Sequence, residues 1–184
     1  MSGRREPEWA MVTVMFADIR GFTAFADKST AREAVAYLNE FFGLVVPPIA
    51  RNGGRTQQLL GDGLLALFES GDHADRALAA AHEMLAEVDA HMGDRCRMGV
   101  GLNSGLVLIG SIGGDLDELA VIGDPVNVAS RVQDATRDLG ERVLMTEATR
   151  LLLDQRDGLE PRGELELKGK AAPVPVYAPQ REAV

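Results

Sequence analysis

The sequence predicts an α+β fold, with a ferredoxin-like βαββαβ core, added strands and helices, and an antiparallel-rich sheet. The prediction rests on two observations. Short β-rich runs alternate with amphipathic helical runs, and several of the strands are joined by glycine-containing turns typical of hairpins. The length of 184 residues leaves room for one domain. We expect the helices to cover one face of the sheet.

The first half of the predicted core begins with a strand at residues 9–16, WAMVTVMF, which is followed by an aspartate at position 18. A capping-box pattern that begins at Thr30 precedes apolar residues at helical spacing. It predicts a helix over about 30–46, and Pro47-Pro48 should disturb the last turn of this helix.

A hairpin and a second helix follow. Two apolar runs, 58–60 and 64–68, are separated by Gly-Asp-Gly, which predicts a tight turn with Asp62 at its tip. The apolar spacing after Gly71 predicts a helix over about 72–91.

The rest of the chain completes the α+β pattern. Two strand runs, 98–102 and 106–109, are joined by Asn-Ser-Gly, and a Gly- and Asp-rich loop is expected at 113–118. A helix over about 125–139 has a proline near its first turn. The remaining predicted elements are a strand at 143–146, a short helix at 147–154, and strands near 164–168 and 174–178.

Charge and composition exclude several classes of protein. The formal net charge is -9, so we expect no nucleic-acid partner and no attraction to an anionic membrane. Cys96 is the only cysteine, which excludes a disulfide framework within one chain and favours the cytoplasm. No apolar run approaches the roughly 20 residues that span a bilayer, and the sequence contains no G-x-x-x-x-G-K-[ST] phosphate loop.

Two aspartates stand where neighbouring strands end. Asp18 follows the first strand, and Asp62 lies in the predicted hairpin. Carboxylate oxygens at such positions can coordinate hard cations such as Mg²⁺. Either aspartate read alone is more often a turn residue.

The sequence around these aspartates resembles the catalytic domain of the class III nucleotidyl cyclases, the family of adenylate and guanylate cyclases. Four segments carry the resemblance in the same order: FADIRGFTAFAD at 16–27, LLGDGLLALF at 59–68, VIGDPVNVASRV at 121–132 and LKGK at 167–170. It implies a catalytic domain over 9–178 between flexible ends at 1–8 and 179–184. It also implies a reaction in which the ribose 3′ hydroxyl of a nucleoside triphosphate attacks the α-phosphorus and releases pyrophosphate.

The resemblance assigns one set of residues to metal and phosphate. Asp18, Asp62 and the Ile19 carbonyl would hold two ions, Mg²⁺ or Mn²⁺, which the growing negative charge of the reaction requires. The backbone N–H groups of Gly21-Phe22-Thr23 would cradle the triphosphate.

A second set would act on the ribose and the phosphates. Asn127 would orient the ribose and Arg131 would stabilise charge at the α-phosphate. Arg142 and Lys168 would contact the β- and γ-phosphates, with Lys170 as an alternative to Lys168. In the family the metal aspartates come from one chain and the Asn and Arg from another, so the resemblance implies a head-to-tail homodimer with two equivalent sites.

Gln58 and Ala120 occupy the positions that read the base in the family, and neither matches the adenylate or the guanylate cyclase pattern. Gln58 can donate or accept, whereas Ala120 offers no side-chain hydrogen bond. We expect loose base selection with ATP as the favoured substrate. The alternatives are a cyclase with relaxed or non-adenine preference and a degenerate cyclase homology domain that binds nucleotide or a partner without turnover. The chain could also be the catalytic part of a longer protein.

The segment Gly-Gly-Asp-Leu-Asp at 113–117 superficially resembles the signature of diguanylate cyclases. That signature occupies a β-hairpin in those enzymes, whereas here the hairpin position is filled by the turn at Asp62. We therefore interpret 113–117 as a polar loop.

Overall fold

A single eight-stranded sheet forms the centre of the structure, a computed structural model that describes residues 6–112 and 118–180. The strands follow the order β2-β3-β1-β4-β6-β8-β7, and β5 pairs with β4 beside this path. The strands are β1 (Glu8–Ile19), β2 (Arg55–Leu60), β3 (Gly63–Glu69), β4 (Met98–Ile112), β5 (Glu118–Ile122), β6 (Val143–Thr146), β7 (Leu159–Leu165) and β8 (Val174–Pro179). The helices are α1 (Phe22–Ala26), α2 (Ala31–Arg51), α3 (His73–His91), α4 (Asp124–Asp138) and α5 (Glu147–Arg150).

Strand pairing confirms the predicted fold class. The pairs β1–β3, β1–β4, β2–β3, β4–β5, β6–β8 and β7–β8 are antiparallel, and β4–β6 is parallel. The central strand β1 is paired along most of its length on both sides. Asp18 therefore lies near the end of a strand that is hydrogen-bonded to a neighbour on each side.

The prediction that helices cover one face of the sheet is wrong. Helices α2 and α3 pack on the face that presents Met15, Ala17 and Ile19 of β1. Helix α4 packs on the opposite face, where Ala129 joins a cluster with Val12 of β1. The sheet is thus covered on both sides, and α4 stands apart from the other two long helices.

The two predicted strand runs around 103–105 form one strand, β4. The segment Asn-Ser-Gly does not turn, because β1 continues alongside it and pairs Val12 with Gly105. A Cβ atom at Gly105 would lie 2.5 Å from Cγ of Pro125. The glycine therefore serves the close approach of α4 to the strand, not a change of direction.

Helix α2 extends five residues beyond its predicted end, through both prolines, to Arg51. Val45, Pro48 and Ile49 are buried in the core under this last stretch. We attribute the extension to this apolar contact, which offsets the backbone hydrogen bonds that the prolines cannot donate.

Smaller differences lie near the end of the chain and in the predicted loop. Strand β7 is found earlier than predicted, and it accommodates Pro161 because it pairs with β8 alone and lies at the sheet edge. Helix α5 ends at Arg150, four residues before its predicted end. Of the predicted loop at 113–118, residues 113–117 lie outside the described residues, and Glu118 begins β5.

In the described part of the chain, no helix is long and apolar enough to cross a membrane.

We expect Gly101→Ala to destabilise the fold by about 1 to 3 kcal/mol, as overpacking does. A Cβ atom at Gly101 would lie 2.3 Å from the backbone nitrogen of Gln133 and 2.6 Å from its Cα atom, so α4 would have to move away from β4. The measurement is the free energy of unfolding in urea.

Gly43→Ala is the matched control. Gly43 lies inside α2, and a Cβ atom there would have no neighbour within 4 Å. This substitution should stabilise the protein by roughly 0.5 to 1 kcal/mol through helix propensity. Equal effects of the two alanines would contradict the close contact between β4 and α4.

Candidate functional site

Asp18 and Asp62 meet where β1 ends beside the β2–β3 hairpin. Asp18 lies opposite Gly63 in the β1–β3 register, and the Ile19 N–H donates to the Asp62 carbonyl at 3.2 Å. A Cβ atom at Gly63 would lie 2.7 Å from the Ala17 carbonyl oxygen and 3.2 Å from Oδ2 of Asp18. The absence of a side chain at Gly63 therefore lets the hairpin tip approach the end of β1.

These residues line a cavity of about 660 Å³, which we call the carboxylate cavity. Its lining comprises Asp18, Ile19, Arg20, Gly21, Phe22, Thr23, Ala24, Asp62 and Arg137. The structure thus gathers all residues that the sequence assigned to metal and to the phosphate-binding turn, and adds two arginines that the sequence analysis did not select.

The surroundings of Asp18 disfavour the ionised form of its carboxyl group. Burial raises the pKa of Asp18 to about 6, the negative charges of Asp62 and Asp134 act in the same direction, and the guanidinium of Arg137 opposes them. A bound cation would reverse this balance by favouring the ionised carboxylate.

The turn at 21–23 begins helix α1. Gly21 has φ 76°, in the left-handed region, and no side chain caps the helix. The first N–H groups of a helix have no acceptor within it. Residues 21–24, which include this first turn, line the carboxylate cavity.

The donor set fits a hard divalent cation. Two carboxylates and the Ile19 carbonyl supply oxygen only, as Mg²⁺ and Mn²⁺ prefer. Among the described residues no group of three or more His, Cys, Asp or Glu side chains could hold a metal ion. Substrate phosphates and water would have to complete the coordination, which is usual for Mg²⁺.

A second cavity, of about 520 Å³, lies along α4, and we call it the helix cavity. Asn127 and Arg131 line it four residues apart on one side of the helix, together with Lys168. None of its lining residues belongs to the carboxylate cavity. Within one chain the two sets of predicted site residues therefore remain separate.

A chain of buried hydrogen bonds fixes the beginning of α4. Asn103 donates from Nδ2 to the Pro125 carbonyl at 3.0 Å and accepts at Oδ1 from the Thr146 hydroxyl at 2.7 Å. The two bonds define the orientation of the Asn103 amide. Asn127, which follows two residues after Pro125, is thereby placed by contacts inside the sheet.

The network continues across the sheet. Ser104 donates to Thr149 at 3.0 Å and shares a hydrogen bond of 2.7 Å with Thr13, which contacts Nδ1 of His73 at 2.7 Å. All four side chains are buried. The polar groups satisfy one another and so tie α3, β1, β4 and α5 together.

The two lysines of the LKGK segment differ in their partners. Lys170 forms an ion pair with Asp124 at the start of α4. In the described residues Lys168 has no ion pair, and its side chain is exposed at the helix cavity.

Arg142 is placed apart from the carboxylate cavity. Its guanidinium makes two hydrogen bonds to Asp89, of 2.7 and 2.8 Å. It lines a smaller cavity of about 310 Å³ together with Arg97 and Arg20. Arg20 is common to this cavity and the carboxylate cavity.

The predicted base-reading residues lie on β2 and β5 and line neither of the two larger cavities. Gln58 is exposed, directly after an irregularity in the β2–β3 pairing, and Ala120 pairs with Gly110 of β4. Gln57 donates its amide to the Leu119 carbonyl and so brings the two strands together beside these positions. Nothing in the sequence pointed to a role for Gln57, because this residue is not part of the motifs that resemble the family.

We expect Asp18→Asn to stabilise the protein at pH 8 when chelator has removed divalent cations. The folded state holds the Asp18 proton more tightly than the unfolded state, whose pKa is about 4, so the cost of its charge is absent below about pH 4 and complete above about pH 6. The difference in melting temperature between the Asn variant and the parent should therefore grow as the pH rises from about 4 to 7.

Asp27→Asn is the control, since Asp27 is exposed and lines neither cavity. Added Mg²⁺ should raise the melting temperature of the parent and of this control but not that of Asp18→Asn. A difference that does not change with pH would show that Asp18 is not held in a destabilised charged state.

Comparison with known proteins places these features in a family. The family described as adenylate and guanylate cyclase catalytic domain matches residues 5–178. The chain is 30% identical over 182 residues to an adenylate cyclase of Anabaena cylindrica, covering 90% of this chain and 36% of the relative. The chain thus spans about a third of the length of that relative.

Solved structures agree with the fold. The adenylyl cyclase CyaB from P. aeruginosa superposes with a TM-score of 0.87 at 24% identity, over 97% of each chain. The guanylate cyclase domain of RhGC from Catenaria anguillulae, solved with GTP, gives a TM-score of 0.82 at 26% identity, over 94% of this chain and 100% of the other. With the family match over almost its whole length, the chain belongs to the adenylate and guanylate cyclase catalytic domain family and is a class III nucleotidyl cyclase domain.

Proposed function

We propose that this domain converts a nucleoside triphosphate, with ATP favoured, to the 3′,5′-cyclic monophosphate and pyrophosphate. The proposal is supported above all by one observation: Asp18, Asp62 and the turn at 21–23 line the same cavity. Asn127 and Arg131 of the same chain line the helix cavity. A nucleotide-binding module without turnover would not need this complete set of groups.

The proposed reaction forms one bond and breaks one. The 3′ oxygen bonds to the α-phosphorus, the bond from this phosphorus to the oxygen bridging to the β-phosphate breaks, and the hydroxyl proton passes to water. Arg131 is suited to the charge that develops at the α-phosphate, and Asn127 to holding the ribose. The N–H groups of the 21–23 turn bind the polyphosphate.

We propose that Asp18, Asp62 and the Ile19 carbonyl hold two divalent cations, Mg²⁺ or Mn²⁺. Such ions would neutralise charge on the phosphates and make the 3′ hydroxyl a better nucleophile. The half-buried Asp18 carboxyl and its repulsion by Asp62 support this assignment, because a bound cation would offset both effects.

We propose that the active form is a head-to-tail homodimer. The carboxylate cavity and the helix cavity share no residue within one chain, although the reaction requires both sets of groups. A second copy can supply the missing set, and the symmetry of the pair then creates two equivalent sites. Lys168, unpaired among the described residues, suits phosphate binding in the helix cavity better than Lys170, which is paired with Asp124.

The preference for ATP rests on the relatives, since adenylate cyclases are among the most similar curated proteins. Guanylate cyclase domains are among the similar structures, so GTP is the second candidate. Losing a fixed hydrogen-bonding group in a base pocket costs about 1 to 3 kcal/mol of discrimination. With Gln58 exposed and Ala120 without a polar group, we expect this selection to be weak.

The purified chain, incubated separately with ATP, GTP, CTP and UTP and with Mg²⁺ or Mn²⁺, should form cyclic AMP fastest. The specific rate should rise with protein concentration because the dimer is the active species. Asp62→Ala should remove turnover while the protein remains folded, whereas Asp157→Ala, in an exposed turn away from both cavities, should leave it unchanged. No cyclic product from any nucleotide, despite a demonstrated dimer, would favour a binding module.

Asp62→Ala and Arg131→Ala should each be inactive alone and should recover activity when mixed. One of the two sites in a mixed dimer then has an intact carboxylate cavity from one chain and an intact helix cavity from the other. Activity is measured against the mixing ratio, and mixed dimers are detected with two affinity tags. Mixed dimers without activity would rule out a site shared in this way.

A further inference from the structure

We propose that Arg137 is a further substrate-binding residue, which holds the β- and γ-phosphates and the departing pyrophosphate on the carboxylate side of the site. The proposal deepens the proposed function and rests on it. Arg137 lies in the last turn of α4, outside the segments by which the chain resembles its family.

The position of Arg137 on α4 separates it from Arg131. Six residues of α-helix turn the chain through about 600°, so the two side chains point roughly 120° apart and lie about 9 Å apart along the axis. Accordingly, Arg131 lines the helix cavity and Arg137 lines the carboxylate cavity. One helix thus contributes to both cavities of its own chain.

The guanidinium of Arg137 is available for a ligand. Within residues 6–112 and 118–180, no ion pair and no side-chain hydrogen bond includes it. Two neighbouring arginines are engaged: Arg20 donates from Nη2 to the carbonyls of Thr136 and Glu141, although its buried Nε has no partner among the described residues, and Arg142 is bound to Asp89. Of these three arginines, Arg137 is the one that lines the carboxylate cavity with a guanidinium that makes no side-chain hydrogen bond in this part of the chain.

The chemistry of the cavity selects a phosphoryl ligand. Asp18 and Asp62, the proposed cation ligands, line the same cavity as Arg137, and cations held there would bind phosphate oxygens. A guanidinium can bind two oxygens of one phosphate through two parallel hydrogen bonds, a planar geometry that the single nitrogen of an ammonium does not offer. After bond cleavage the charge on the pyrophosphate increases, so a cation at this end of the substrate assists its departure.

A purely structural role for Arg137 would be to place positive charge at the carboxyl end of α4 and near Asp18, where a cation is favourable. That role needs charge but no particular geometry, and lysine would fulfil it. Phosphate binding through two parallel hydrogen bonds needs the planar guanidinium. The two roles therefore predict different behaviour of Arg137→Lys.

The first test measures binding of pyrophosphate in the presence of Mg²⁺ by calorimetry, with no turnover involved. Arg137→Ala should weaken the affinity by about 10- to 100-fold, as the loss of charged hydrogen bonds does. Arg137→Lys should restore only part of it. Arg32→Ala is the control, because Arg32 is an exposed arginine that lines neither cavity, and it should leave the affinity unchanged. Unchanged affinity in Arg137→Ala, or full recovery in Arg137→Lys, would overturn the proposal.

The second test assigns Arg137 to a half of the shared site, using mixed dimers at low nucleotide concentration. Arg137→Ala mixed with Arg131→Ala should regain activity, although the two residues lie on the same helix. Arg137→Ala mixed with Asp62→Ala should not, because both changes then fall in the carboxylate half. The reverse pattern would overturn the proposal.

The mixture of Asp62→Ala with Arg131→Ala distinguishes a failure of the shared site from a failure of the proposed role of Arg137. If that mixture is inactive although mixed dimers form, the shared site of the proposed function fails, and the pyrophosphate measurement still decides the role of Arg137. If it is active, the pairing behaviour of Arg137→Ala tests the proposal alone.

Discussion

The close approach of two carboxylates at the end of the central strand is the constraint around which the site is organised. Burial and the charge of Asp62 both oppose ionisation of Asp18, so the folded chain holds an arrangement that is unfavourable without a cation. The arrangement persists because β1 is hydrogen-bonded on both sides and Gly63 leaves room for the hairpin. The ionised carboxylate of Asp18 therefore lowers the stability of the fold at the place where the proposed function requires negative charge.

Helix α4 is the second organising element. It lies alone among the long helices on its face of the sheet, and its contact with β4 depends on glycines that admit it closely. The buried amide of Asn103 then fixes its first turn through the Pro125 carbonyl. A helix placed in this way presents Asn127 and Arg131 to one cavity and Arg137 to another.

Much of this was predictable from the sequence. The sequence pattern predicts the three long helices and most strands, and the motifs around Asp18, Asp62 and Asn127 indicate the family that the comparisons confirm. The sequence predicts two strands where the structure has one, β4, because Asn-Ser-Gly has the composition of a turn. Its extended conformation depends on pairing with β1, which the local sequence does not indicate. Likewise, the C-terminal end of α2 depends on burial that a proline rule does not include.

The site was harder to predict at the level of single residues. A basic residue in the last turn of a helix is common, so nothing in the sequence distinguished Arg137 from a residue that interacts with the helix dipole. Its place in the carboxylate cavity follows from how α4 crosses the sheet, which is a property of tertiary packing. The pairing of Arg142 with Asp89 is equally non-local, since 53 residues separate the two.

The proposed function depends above all on the division of each site between two copies of the chain. This division is tested most directly by a crystal structure with Mg²⁺ and a non-reacting analogue of ATP. We expect the triphosphate beside Asp18 and Asp62 of one copy and the ribose beside Asn127 of the other. A nucleotide whose phosphates and ribose are both bound by residues of the same copy would contradict the account.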